Sequence, residues 1–263
     1  MACFFGIIVS VIPVLVLVIR LVKEVRRKGE MMIIQETYGE PIIAAPNEAH
    51  MACVLLLDTS GSMYGDPIKS LNKALQDFKH KLSMDEMAKK RVDICIIEFN
   101  TSANLVQWFT PISQMPNIAL KATGVTAMGE GINMAIDMIK DRNRFYNSLG
   151  TPAYKPWIFM ITDGEPTDDI TEAIRRVQEE EMKGTHGKLK FFALGVKGYD
   201  KNTLFKITNR VMELKDTDFS GIFDWMSESM AAISISRVGE EVSLPPLPVN
   251  ARKADPSRDV SDW

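Results

Sequence analysis

Two apolar segments without polar alternation, residues 52–57 and 157–162, constrain the fold more than any other feature of the chain. A strand that exposes one face to water alternates polar and apolar residues, whereas a strand buried on both faces does not. Both segments are therefore predicted to be central strands of a parallel sheet that is covered by helices. An aspartate follows each segment, Asp58 in the first case and Asp163 in the second.

The rest of the chain alternates helical and strand patterns around these two segments. This rhythm predicts an α/β fold with a doubly wound, mostly parallel central sheet, one antiparallel edge strand and helices on both faces. Ligands of such sheets bind beyond the carboxyl ends of the strands, where Asp58 and Asp163 are expected. The other predicted strands are residues 91–99, 103–109 (the antiparallel edge), 188–196 and 210–214, and the main helices are residues 66–82, 130–149, 168–182 and 219–236.

Side chains with oxygen atoms are concentrated just after the predicted strands. Asp58, Ser60 and Ser62 alternate along one turn, Thr126 lies in a glycine-containing loop, and Asp163 ends the second strand. In a tight turn, residues two positions apart can direct their oxygens to one point. Carboxylate and hydroxyl oxygens suit Mg²⁺ or Mn²⁺, and Mg²⁺ needs only one or two carboxylates.

With these residues in this order, the chain resembles the von Willebrand factor A family over residues 51–236. The metal-ion-dependent adhesion site of that family consists of Asp-x-Ser-x-Ser, a Thr in a second loop and an Asp in a third. The resemblance implies that the metal ligands are Asp58, Ser60, Ser62, Thr126 and Asp163. No position departs from the family pattern, and the segments around Asp58 and Asp163 are most similar to bacterial TerY/YegL-type members.

The resemblance implies a binding module and not an enzyme. A bound Mg²⁺ contacted mainly by neutral hydroxyls keeps positive charge, so a Glu or Asp carboxylate of another protein is the expected partner. Met63, Tyr64 and Met128 are expected on the rim of the site, where they would select that partner. Some TerY/YegL-type proteins are associated with tellurite resistance, a protein phosphatase and a kinase, which implies a stress or phospho-signalling context.

Two alternatives stay open. Asp58 beside Mg²⁺ could accept a phosphoryl group, as in haloacid-dehalogenase-type phosphatases, but those enzymes carry a second Asp where this chain has Ser60. The sequence has no Gly-rich phosphate loop followed by Lys-Ser/Thr and no Ser-His-Asp set, so no catalytic residue is assigned. The other alternative is a metal-free scaffold in which the serines and threonines form turns and caps.

Charge and cysteine content exclude two further classes. The formal net charge of −3 offers no basic field for nucleic acid, so a nucleic-acid partner is not predicted. Cys53 and Cys95 fall within apolar strand patterns and Cys3 within an apolar leader. Such sparse cysteines argue against a disulfide framework and for a reducing compartment.

The first 30 residues form a candidate transmembrane anchor with a basic flank. Residues 3–22 are almost entirely apolar, and about 20 such residues span a bilayer. The basic flank at residues 23–28 follows this segment, which predicts a cytoplasmic domain tethered to the inner membrane. The alternative is translation from Met31 or Met32, which would give a soluble cytoplasmic protein without the anchor.

Both ends of the predicted domain have breakers and polar residues. Residues 31–50 contain Gly39, Pro41 and Pro46 and are interpreted as a linker. Residues 237–263 are rich in proline and charge, and they are predicted to be an extended or disordered tail.

Overall fold

The computed structural model of the chain describes residues 42–182, 188–255 and 257. Its strands are β1 (Met51–Asp58), β2 (Val92–Phe99), β3 (Ala103–Pro111), β4 (Trp157–Thr162), β5 (Lys190–Gly195), β6 (Val211–Leu214) and β7 (Ala251–Lys253). Its helices are α1 (Asp66–Met84), α2 (Ala88–Arg91), α3 (Met128–Leu149), α4 (Thr171–Met182), α5 (Lys201–Ile207) and α6 (Ser220–Ile235).

The seven strands form one sheet in the order β3-β2-β1-β4-β5-β6-β7. Strand β1 pairs in parallel with both β2 and β4, and β3 pairs antiparallel with β2 at the edge. The predicted doubly wound, mostly parallel sheet with an antiparallel edge strand is confirmed. The strand order reverses at β1 and β4, so the ends of these two strands face the crevice where α/β sheets bind ligands.

Helices cover the sheet on both faces because the inner strands are apolar on both. Every residue of β1 is buried, and alternate side chains point to opposite faces. Cys53 and Leu55 share one core cluster with residues of α1 and α6. Leu56 points to the other face, where its side chain lies against α3 at Gly131. Helices α3, α4 and α5 pack side by side on that second face.

The carboxyl-terminal segment is part of the folded domain as far as residue 253, so the prediction of a disordered tail is wrong for these residues. Sequence analysis ended the domain at residue 236, whereas β7 pairs antiparallel with β6 and adds a strand to the second edge of the sheet. The connecting segment is held because the indole N–H of Trp225 donates to the carbonyl of Pro245 at 2.8 Å. Leu244 and Leu247 pack against the core cluster.

A buried polar cluster lies at the amino ends of the strands, at the end of β1 opposite to Asp58. The carboxylate of Asp93 accepts hydrogen bonds from Arg142 at 2.9 Å and from the hydroxyl of Tyr146, and it lies 3.0 Å from His50 Nδ1. All four side chains are buried. Arg142 also donates to the carbonyl of Ile42 at 2.7 Å, which fixes the predicted linker at this point.

The candidate anchor at residues 3–22 lies outside the described residues. Within residues 42–182 and 188–255, no helix has both the length and the apolar character that crossing a membrane requires.

Cys53 and Cys95 are free, buried thiols of the inner strands, and burial raises the pKa of both.

Candidate metal site

The turn after β1 directs the first oxygen atoms of the site. The backbone N–H of Ser60 donates to Asp58 Oδ1 at 2.8 Å, which fixes the carboxylate at the strand end. A single 3₁₀ turn then spans Gly61–Met63. Asp58 and Ser60 are buried, whereas Ser62 is exposed on this turn. The site therefore has a buried floor and an open mouth.

Hydrogen bonds join this turn to the end of β4. The hydroxyl oxygens of Ser60 and Ser62 lie 3.0 Å apart, and the Ser62 hydroxyl donates to Asp163 Oδ1 at 2.7 Å. The hydroxyl of Thr162 donates to Asp58 Oδ2 at 2.6 Å. Four of the five residues predicted to bind metal are thus linked in one continuous set, together with Thr162.

The fifth residue, Thr126, faces the same space from a separate loop. A Cβ atom at Gly164 would lie 3.3 Å from Thr126 Oγ1 and 3.9 Å from Asp58 Oδ2. Both oxygens therefore border one point, next to which the chain has only a glycine. The structure brings all five predicted residues to the carboxyl ends of β1 and β4.

Backbone hydrogen bonds hold the Thr126 loop against the turn after β1. The N–H of Thr123 donates to the carbonyl of Thr59 at 2.8 Å, and the N–H of Gly61 donates to the carbonyl of Gly124 at 3.1 Å. Gly124 has a φ of +74°, and a Cβ there would lie 2.2 Å from Thr101 Oγ1. Only glycine fits this close approach without rearrangement.

The same loop is also fixed to the loop after β4. The N–H of Thr167 donates to the carbonyl of Thr126 at 2.9 Å, and the N–H of Thr126 donates to the hydroxyl of Thr167 at 3.1 Å. Asp168 accepts hydrogen bonds from the N–H groups of Gly129 at 3.0 Å and Glu130 at 2.9 Å. Asp168 thereby caps α3, the helix that begins directly after the Thr126 loop.

Acidic residues near the start of a helix favour the positive end of its dipole, which predicts capping and rim positions, and not metal binding, for Glu165, Asp168 and Asp169. Asp168 does form a cap, but on α3 and not on the helix that follows it in sequence. That following helix, α4, begins at Thr171, three residues later than predicted. Asp169 accepts from the N–H of Thr171 at 2.9 Å, and Glu165 is exposed.

Several supporting residues were missed because their partners are distant in sequence. Asn100 donates from Nδ2 to Thr59 Oγ1 at 3.0 Å, and its carbonyl accepts from the N–H of Ala127 at 2.7 Å. It thus connects both metal-site loops. Asn100 lies between the predicted strands at residues 91–99 and 103–109, and its local sequence does not indicate this link. Thr162 was assigned only to the end of a buried strand.

The electrostatics of the site favour a cation. Burial raises the pKa of Asp58 above its ordinary value, and repulsion from Asp163 raises it further, while hydrogen bonds from Ser60 and Thr162 oppose these effects. Burial also raises the pKa of Asp163. Two partly desolvated carboxylates that repel each other are both stabilised as anions when a positive ion is bound between them.

The rim of the site differs from the prediction in two of its three residues. Met63 and Met128 are fully buried beneath the loops. Tyr64 is on the surface as predicted, with 79% of its area exposed, and Val125 of the second loop is 50% exposed. An aromatic and an aliphatic side chain therefore border the mouth, on two loops that the Gly61–Gly124 hydrogen bond joins.

The donor set fits a hard divalent cation. Its five side chains present carboxylate and hydroxyl oxygens only, with two carboxylates among them, which matches the preference of Mg²⁺ and Mn²⁺. Among the described residues there is no cluster of three or more His, Cys, Asp or Glu side chains with metal-binding geometry. The hydroxyls of Ser60, Ser62 and Thr126 would therefore be essential to any metal site here.

Comparison with known proteins identifies a family. The model of the von Willebrand factor type A domain matches residues 53–224. No curated protein matches the chain.

Solved structures share the fold at low sequence identity. A von Willebrand factor type A protein from Catenulispora acidiphila aligns with a TM-score of 0.50 at 17% identity, over 70% of this chain and 43% of that one. The pilus adhesin SpaC from Lactobacillus rhamnosus GG has a TM-score of 0.57 at 12% identity, over 70% and 30%. The PilB minor pilin from Streptococcus sanguinis has a TM-score of 0.50 at 17% identity, over 73% and 63%. The chain spans less than two thirds of each of these proteins.

Proposed function

The chain belongs to the von Willebrand factor type A domain family, and we propose that it binds another protein through a divalent metal ion held at Asp58, Ser60, Ser62, Thr126 and Asp163. The observation that carries this proposal is the continuous set of oxygens from Asp58 to Asp163 at two strand ends, with Thr126 of a third loop facing the same space. Fold alone would not support a function, because one fold hosts many functions.

The chemistry of the donor set defines the partner group. Three neutral hydroxyls and two carboxylates leave a dication with unfilled coordination positions at the exposed mouth of the site. A Glu or Asp carboxylate of another protein would fill such a position with the kind of oxygen ligand that Mg²⁺ prefers. Mg²⁺ is the ion that we propose, with Mn²⁺ as the alternative, since both prefer oxygen ligands.

The biological context that we propose is carried by resemblance alone. Similarity of the Asp58 and Asp163 segments to TerY/YegL-type proteins favours a role in tellurite resistance or in phospho-signalling. A cytoplasmic location, with residues 3–22 as an inner-membrane anchor, is part of the same proposal. Cell fractionation of the protein translated from Met1 or from Met31 tests that location, because only the longer form should pellet with membranes.

The metal site is tested by calorimetric titration of the full-length chain with Mg²⁺ and Mn²⁺. We expect a saturable heat for the wild type and none for Asp58→Ala. The matched control is Asp66→Ala, since Asp66 is an exposed carboxylate at the start of α1 outside the proposed donor set. Metal heat that survives in Asp58→Ala would contradict the assignment of this site.

Binding of a partner is tested by affinity capture with Mg²⁺ and with chelator. A partner retained only with Mg²⁺ and lost with Asp58→Ala supports the proposed function. Equal capture under all three conditions would indicate a metal-free scaffold.

The phosphatase alternative is tested with an aryl phosphate. Turnover by the wild type that Asp58→Asn abolishes would support this alternative. We expect no turnover, because Ser60 lacks the acid-base capacity of a second aspartate.

A further inference from the structure

A second cleft lies at the opposite end of the sheet from the proposed metal site. Its volume is about 570 Å³, within the range of pockets that bind small molecules. It is bordered by the carboxyl-terminal half of α3, by Glu180 of α4, and by the segments that enter β4 and β5. Strand β4 has six residues, so about 20 Å separates its two ends.

The walls of this cleft are basic although the chain as a whole is acidic. Among the described residues, Lys140, Arg144, Lys155 and Lys188 line it with the carboxylate of Glu180, and Asp141 pairs with Arg144 beside the wall, so this group has a formal charge of +2. The formal charge of the whole chain is −3. A concave surface with charge of one sign concentrates ligands of the opposite sign.

Glu180 organises the basic wall. Its carboxylate pairs with Lys140 at 2.9 Å while its side chain is only 5% exposed. Its carbonyl accepts from the N–H of Lys188 at 2.7 Å, which ties the segment before β5 to α4. One buried residue thus holds the side chain of Lys140 and the backbone of Lys188.

The remaining lining has two kinds of surface. Asn143 and Asn147 are four residues apart on α3 and present amide groups on one side of that helix. Ile139, Tyr154 and Leu189 supply the apolar part of the wall at its base, where each is at most 5% exposed. Cationic and amide groups suit phosphate oxygens, and an apolar wall suits a ring or a short aliphatic group.

We propose that this cleft binds a small organic phosphate, with the phosphate group among the basic residues and the organic part against Ile139, Tyr154 and Leu189. Its charge and mixed lining match a dianion attached to an apolar body, and its volume suits a molecule of nucleotide size. The inference is independent of the proposed metal site, which lies beyond the other ends of the strands.

The probe is ADP, titrated into the full-length chain in a buffer with chelator so that metal-bound phosphate cannot contribute. The test variant is Arg144→Gln with Lys188→Gln, because both residues line the wall and the ion pair between Lys140 and Glu180 is kept. Lys69→Gln is the control, since Lys69 is a well-exposed lysine of α1. Adenosine tests whether the phosphate is recognised.

We expect saturable binding of ADP to the wild type and to Lys69→Gln, and affinity at least about tenfold lower in the double variant, which lacks two charge-assisted contacts. Adenosine should bind at least about tenfold more weakly than ADP for the same reason. The proposal is overturned by the absence of ADP binding up to about 1 mM, the upper end of usual metabolite affinities. Equal affinities for ADP and adenosine, or an unaffected double variant, would overturn it as well.

Discussion

The hydroxyl of Ser62 donates a hydrogen bond to Asp163 Oδ1 at 2.7 Å, although 101 positions separate the two residues in the chain. Ser62 is exposed and Asp163 is half-buried, so burial of these side chains does not by itself hold them together. Backbone hydrogen bonds join the loop of Ser62 and the loop of Asp163 to the Thr126 loop, and these bonds hold the two side chains near each other. The site is therefore rigid at its base and open at its mouth.

Ser62→Ala should separate metal binding from stability. The hydroxyl is exposed, so its loss should change the free energy of unfolding by less than about 1 kcal/mol. The same change removes one of three proposed hydroxyl ligands, and we expect Mg²⁺ affinity to fall by roughly 1.4 kcal/mol or more, which is at least about tenfold. Calorimetry and thermal denaturation measure the two effects.

The control for that change is Ser83→Ala, which removes another exposed hydroxyl that bonds to a backbone carbonyl within α1. Its Mg²⁺ affinity should equal that of the wild type. If Ser62→Ala bound Mg²⁺ as tightly as the wild type, Ser62 would not be a metal ligand. A large loss of stability in Ser62→Ala would show that the hydroxyl has a structural role.

Asp168→Ala should weaken both α3 and the metal site. It removes the side chain that accepts the N–H groups of Gly129 and Glu130, and the loss of a helix cap costs about 1 kcal/mol. Because Thr126 lies directly before α3, the loop should become more mobile and Mg²⁺ binding weaker. Thermal denaturation and Mg²⁺ titration of the variant check both expectations.

Asp169→Ala provides the comparison, since Asp169 accepts from the N–H of Thr171 at the start of α4 and has no bond to the Thr126 loop. It should lose a similar amount of stability and keep its metal affinity. If the two variants had the same metal affinity, the cap on α3 would not position Thr126.

Gly124→Ala should be much more damaging than Gly65→Ala. Both glycines have positive φ, +74° and +92°, so both variants strain the backbone by about 1 kcal/mol. Only at Gly124 would the new Cβ also collide with Thr101, whereas nothing lies within 4 Å at Gly65. The free energy of unfolding, measured in denaturant, should therefore fall further for Gly124→Ala, and Thr101→Ala should restore part of the loss.

Arg142→Met should destabilise the domain by about 3–5 kcal/mol, because it leaves the buried carboxylate of Asp93 without its guanidinium partner. Lys69→Met breaks an exposed ion pair with Asp66 and should change stability by less than about 1 kcal/mol. Urea denaturation of both variants tests this contrast. A small effect at Arg142 would mean that His50 and Tyr146 suffice to stabilise the Asp93 carboxylate.

The parts of the fold that sequence analysis predicted are those governed by local pattern. The apolar run of β4 was placed at residues 157–162, as observed, because burial on both faces leaves no polar alternation. The helix after the Thr126 loop was predicted to begin at residue 130, two residues after its observed start at Met128. Asp58 and Asp163 were predicted at one edge of the sheet because both end parallel strands, whereas the full set of five was implied by the resemblance to the family.

The parts that were missed depend on contacts between distant residues. Met63 and Met128 were placed on the rim by their positions beside the motif, but apolar side chains beneath the loops are more stable buried. Asp168 precedes α4 in sequence, yet its carboxylate bonds to backbone atoms 38 and 39 positions earlier. No local pattern indicates which of two helix starts such a carboxylate will cap.

The carboxyl-terminal segment is the largest departure, and it yields the last prediction. Its prolines favour an extended chain, and its few apolar residues cannot form a core of their own. They become stable only against α6, where Leu244 and Leu247 meet an existing core and Trp225 donates to Pro245. Deletion of residues 237–263 should therefore expose one face of α6 and leave β6 as an open edge.

We expect that deletion to lower the free energy of unfolding by roughly 2–4 kcal/mol, from two partly buried leucines and the lost strand pairing. Trp225→Phe, which removes the hydrogen bond to Pro245, should cost only about 1 kcal/mol by comparison. Thermal denaturation should report both changes, and the fluorescence of Trp225 should report the deletion. If the truncated chain were as stable as the full chain, the segment would be dispensable for the fold and the domain would end near residue 236, as its composition alone suggests.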